Sequence, residues 1–174
     1  MTRSKAFFLN GGAGRMLCSI PALELYEKES GDKDFVIVCE GGTDMFKGHP
    51  TLHKRAYDPW HKNLFDDVIK HRQVVNPEPY QVWEYYNQKC SLSQAFDILF
   101  NDKGVRELNK PAIHFSKDEL LVGRKLVNEV KEKIKKDKVI CIQPFGRGIE
   151  LLDDTPIDTT GRSFEFKDLK SILK

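Results

Sequence analysis

Two short apolar runs, Ala6-Phe7-Phe8-Leu9 and Phe35-Val36-Ile37-Val38-Cys39, are each followed closely by a glycine pair, Gly11-Gly12 and Gly41-Gly42. Neither run alternates with polar residues, which predicts strands buried on both faces. Between them Met16, Leu17, Ile20, Leu23, Leu25 and Tyr26 recur at helical spacing and predict a helix over 15–29, closed by Ser30-Gly31-Asp32. Pro21 lacks an amide hydrogen, so it should kink that helix or fall within its first turn. Strand, helix and strand in this order form a right-handed parallel βαβ unit.

Further on the pattern is less regular. Residues 52–57 read as a short strand, 67–75 is ambiguous with Val68, Ile69, Val74 and Val75 as its strand positions, and Pro77 and Pro79 punctuate the chain before a long helical pattern over 80–100. Trp83, Tyr85 and Tyr86 in that pattern read as core and rim packing, with an aromatic ligand platform as the alternative. Residues 111–115 predict another strand, and Ser116 with Glu119 a capping box opening a helix to about residue 136. Its lysine-rich end suits the helix dipole. Val139-Ile140-Cys141-Ile142 predicts a further buried strand, followed by a second glycine turn over 143–148, a flexible acidic segment over 150–158 and a helix over 163–173. One strand and one helix cannot bury their apolar faces alone, so the expected organisation is a domain over 1–136 and the beginning of a second, incomplete α/β domain over 137–174.

Composition narrows the function classes. Charged residues make up 31% of the chain, but the net charge is only +2, which gives no electrostatic reason to expect a nucleic-acid partner. No apolar run approaches the ~20 residues of a membrane span, and no secretion signal follows Met1. Cys18, Cys39, Cys90 and Cys141 form no C-x-x-C pair, so free thiols, no zinc site and a cytoplasmic setting are expected.

The chemistry suggested by the first glycine turn is ligand binding. Glycines let the backbone approach a ligand, and the new helix offers free N–H groups to an anion. The same turn serves equally to pack a helix tightly on its sheet. Glu40, at the end of the second strand, stands where open α/β sheets bind ligands, or is a solvated loop carboxylate, and Asp44 and His49 follow in the next loop. Gly12, Ala13 and Gly14 with Glu40 also reproduce part of a dinucleotide-binding fingerprint, although Leu17 fills its third small position.

Gly12-Ala13-Gly14-Arg15, Ile20-Pro21-Ala22-Leu23, the segment 139–148 and Arg162-Ser163-Phe164 together resemble the ADP-heptose:lipopolysaccharide heptosyltransferases and related two-domain glycosyltransferases. The resemblance covers nearly the whole chain through short, degenerate motifs. It implies a GT-B architecture: a Rossmann-like, mainly parallel acceptor domain, then the first βα unit of a Rossmann-like donor domain. The implied partners are a nucleotide-sugar donor, a glycan or other hydroxyl acceptor, and a missing C-terminal half, with no metal or other cofactor. Gly12, Gly14 and Arg15 would then face the acceptor or a phosphate, and Gly146, Arg147 and Arg162 the donor diphosphate. One departure matters: the family's acid in the glycine turn is Arg15 here, which stays protonated and cannot act as a base, so the resemblance implies a replacement base, with Glu40 as the candidate and Asp44 and His49 behind it, or a different acceptor. Loss of activity, leaving a sugar-binding or assembly subunit, is the non-enzymatic alternative.

Overall fold

A computed structural model describes residues 3–143, 149–153, 155–159, 161 and 163–172. The chain divides into two compact units, 1–119 and 120–174.

The first unit is mixed α/β around a four-stranded, all-parallel sheet. β1 (Lys5–Leu9) pairs with β2 (Val36–Cys39) in the register Phe7 to Ile37, and β2 pairs with the two-residue β3 (Ala56–Tyr57). β4 (Gln73–Val75) returns to the far side of β1, giving the order β3-β2-β1-β4. The expected parallel βαβ unit is present: α1 (Ala13–Glu29) joins β1 to β2. Pro21 lies in neither the first turn nor a break but in the third turn, buried, where the helix continues without its hydrogen bond.

Both faces of the sheet are covered, which explains the unbroken apolar runs. On one face Phe7, Leu9, Ile37 and Cys39 pack with Met16, Ile20 and Leu23 of α1 and with Phe96 and Phe100 of α3 (Leu92–Asn101, a helix numbered after the short α2, Trp83–Tyr86). Ala6, Val36 and Val38 face the other way, against Leu64, Val68 and Ile69 of a six-residue π-helical turn.

The 80–100 segment is not one helix. A 3₁₀ turn (Pro79–Gln81) precedes α2, Gln88 adopts a positive φ of 58°, and the chain restarts at α3. Ser91 caps α3: its hydroxyl accepts from the Gln94 N–H while Gln94 reaches back to the Ser91 N–H. Because α2 has a single turn, Trp83 and Tyr86 are exposed rather than packed in the core. Residues 111–115 form no strand either. The loop ahead of them is tied in through Arg106, which grips Asp97 of α3 through Nε (2.6 Å) and reaches Glu29 of α1 (2.9 Å), and His114 lies edge-on against His49 with ring centres 4.9 Å apart. The Ser116–Glu119 capping box is present as expected and opens α4 (Lys117–Ile134).

In the second unit the pattern and the structure part further. Residues 139–142 form no strand, and Ile140 is exposed, because no described strand lies beside them to pair with. The acidic stretch instead forms an antiparallel hairpin of β5 (Ile149–Leu152) and β6 (Thr155–Asp158), and α5 (Phe166–Ile172) follows. No helix among the described residues is long and apolar enough to cross a membrane.

Candidate functional site

β2 leaves β1 on one side and β4 leaves it on the other, so a crevice opens at the carboxyl ends of these strands, the place where open parallel sheets bind ligands. It measures about 530 Å³ and is lined by Phe8 and Leu9 of β1 and Asn10 after it, Val38 of β2 and Glu40 after it, Pro59, and Asn76, Pro77, Glu78 and Gln81 after β4.

Glu40 is fixed in it by a single bond. The Gly11 N–H donates to its Oε2 at 2.7 Å, while the Glu40 N–H donates to the Leu9 carbonyl at 2.9 Å. Oε1 has no hydrogen-bond partner among the described residues, so this carboxylate keeps an open acceptor toward the crevice. Gly41 makes the approach possible. A Cβ there would stand 2.5 Å from the Gly11 oxygen and 2.8 Å from the Gly12 carbon, closer than any side chain allows. Gly11, at φ +84°, supplies the left-handed turn. A Cβ on Gly12 or Gly14, by contrast, meets nothing within 4 Å.

Arg15 points elsewhere. Its Nη2 donates to the Pro77 carbonyl at 3.3 Å, its Nη1 stands 3.3 Å from Glu78 Oε1, and its guanidinium lies 4.9 Å from the centre of the Tyr80 ring. The fork that could hold an anion therefore braces the 77–80 wall of the crevice.

The other sequence candidates separate. Asp44 is exposed on a 3₁₀ turn (Asp44–Phe46) and does not line the crevice. His49 is buried at a different cavity, beside Glu24 of α1. Gly146, Arg147 and Arg162 lie outside the described residues. Sequence reasoning missed Asn76, Glu78 and Gln81. Their signal was their position just after Val74-Val75, but only the return of β4 to β1 brings them beside Glu40.

Glu24, His49 and His114 place one ligand atom each within 4.8 Å of one another. The hydrogen bonding argues against a metal. The Thr51 and Leu52 N–H groups donate to His49 Nδ1 at 3.3 and 3.1 Å, so its proton sits on Nε2 and is donated to Glu24 Oε1 at 3.1 Å. A metal on Nε2 would force that proton onto Nδ1, against two donors. None of Cys18, Cys39 and Cys90 is an activated nucleophile: burial raises all three thiols, Cys39 to about 12 with help from Asp58.

Compared with known proteins, the chain matches no family model, no curated protein and no solved structure.

Proposed function

We propose that the crevice is the acceptor side of a glycosyl-transfer site. A hydroxyl-bearing acceptor binds there, Glu40 takes the hydroxyl proton as the oxygen attacks the anomeric carbon, and the nucleotide diphosphate of the donor departs. The observation that carries this reading is Glu40 itself. It is a carboxylate at the end of a parallel strand, held by one backbone N–H and open on its other oxygen, in a crevice of sugar-sized volume. The resemblance to two-domain GT-B glycosyltransferases supplies the donor class, and Arg15, unable to serve as a base, is compatible with Glu40 taking that role. The dinucleotide alternative fits less well: its acid grips a ribose hydroxyl while the glycine turn holds a diphosphate, whereas here Glu40 occupies the Gly11 N–H.

Backbone amide NMR of the whole chain tests the reading without requiring turnover. Carbohydrates should move the resonances of Asn10, Gly11, Glu40 and Asn76, and NAD should not. Where transfer from a nucleotide-sugar is detected, Glu40→Gln should lower turnover about 10²–10⁴-fold with donor affinity unchanged. Crevice shifts with NAD and none with any carbohydrate would overturn the proposal.

A further inference from the structure

Resting on that reading, the ligand class can be narrowed. We infer that the crevice selects an uncharged sugar and discriminates against its anionic counterparts, the uronates and sugar phosphates.

Three independent features lead there. First, the polar side chains lining the crevice among the described residues are two carboxylates, Glu40 and Glu78, and three carboxamides, Asn10, Asn76 and Gln81, with no lysine, arginine or histidine. Carboxylates accept from hydroxyls, and carboxamides both donate and accept, which suits a polyol and leaves a ligand anion without a counter-charge. Second, the cation behind the crevice wall is turned to that wall. Arg15 gives Nη2 to the Pro77 carbonyl, pairs with Glu78 at 3.3 Å and lies against Tyr80, and its buried Nε has no hydrogen-bond partner among the described residues. Turning it toward a ligand anion would strip Glu78 of its partner and release the wall that Pro77 and Glu78 form. Third, one donor of the glycine turn is already taken: the Gly11 N–H donates to Glu40 at 2.7 Å, so an anion at that N–H would meet a carboxylate belonging to the protein. The remaining lining is apolar, with Leu9, Val38, Pro59 and Pro77 offering surface for the C–H face of a sugar ring.

The same features make the discrimination electrostatic, and it should therefore respond to salt. The test is a titration of the full chain, read by amide NMR at Asn10, Gly11, Glu40 and Asn76. The probes are methyl glucoside, methyl galactoside, the matching uronates and the matching 6-phosphates, at low salt and at about 0.5 M salt. The neutral glycosides should bind at least ten times more tightly than their anionic counterparts at low salt, and the ratio should shrink at high salt. Glu78→Gln should shrink it at low salt too. If that variant does not fold, the salt series on the unaltered chain still decides. An anionic sugar that binds as tightly as the neutral one, or a ratio indifferent to salt, overturns this inference and leaves the acceptor-site reading standing. Binding of neither class overturns the acceptor-site reading itself.

Discussion

The two ends of the β1–β2 pair carry the same device put to different uses. At each end an acid from the β2 side takes a backbone N–H at the neighbouring end of β1: Asp32 Oδ2 from Lys5 at 2.9 Å, and Glu40 Oε2 from Gly11 at 2.7 Å. At the amino end the acid is saturated. Asp32 also accepts from the Ser4 hydroxyl, from Tyr26 at 3.1 Å and from the Asp34 N–H at 3.1 Å. At the carboxyl end Glu40 has its one N–H and nothing more among the described residues. A carboxylate whose acceptors are all filled holds the chain together, whereas one with an unfilled acceptor is left for chemistry.

The sharpest way to break this comparison is to remove both acids in turn and follow unfolding. Asp32→Ala should cost about 3 kcal/mol, because it strands two hydroxyls and two N–H groups that now share one charged acceptor. Glu40→Gln should stay within about 0.5 kcal/mol, since an exposed amide can still accept from Gly11. Equal losses in denaturant unfolding would erase the distinction between a structural and a functional carboxylate.

The carboxyl end was only partly legible in the sequence. Buried runs without alternation identify β1 and β2, and Glu40 follows directly from the second of them. The far wall of the crevice does not follow. β4 has three residues, and nothing in Gln73-Val74-Val75 says that it will pair with β1 rather than extend the sheet beyond β3. Order in a sheet is a tertiary choice, so Asn76 and Glu78 stay anonymous until the sheet is built. The 80–100 helix failed for a local reason instead. Periodicity ran through Gln88 and overrode the restart signal of Ser91 and Gln94, although that capping box is written in the sequence. His49 was ambiguous because its role is set by the Thr51 and Leu52 N–H groups aimed at one ring nitrogen, a geometry that no spacing rule reports.

A second contrast lies in the glycines flanking β2. Gly31, before the strand, has φ +72° and open space around its Cβ position, so Gly31→Ala should cost only the backbone strain, about 1 kcal/mol. Gly41, after it, meets the backbone of the Gly11–Ala13 turn, and backbone cannot move aside as a side chain can. Gly41→Ala should cost roughly 2–3 kcal/mol, comparable with overpacking a core, and should push the Gly11 turn away from Glu40. Thermal unfolding of the two variants orders them. An equal or smaller loss at Gly41 would mean that the two glycine turns are not held against each other.

The smallest expected effect is on pH, and it distinguishes the saturated acid from the open one. Burial alone would raise the Asp32 carboxyl, but the bonds from Ser4, Lys5, Asp34 and Tyr26 together outweigh it and hold it below the ordinary carboxylate range. Tyr26, pushed up to about 12 by burial and then by Asp32, remains a donor throughout the acid range. A folded-state value below the unfolded one, near 3.9, means that the ionised form stabilises the fold. That contribution is complete above the unfolded value and disappears as pH falls through the folded one. Glu119, lowered first by the Ser116 N–H and then by its hydroxyl, titrates in the same acid range, so the measurement must be a difference. The stability gap between the unaltered chain and Asp32→Asn, followed by denaturant unfolding, should hold steady from pH 7 to about pH 5 and narrow below about pH 4. A gap that stays constant into strong acid would show that Asp32 gains nothing from its charge, and that the amino end is held by shape alone.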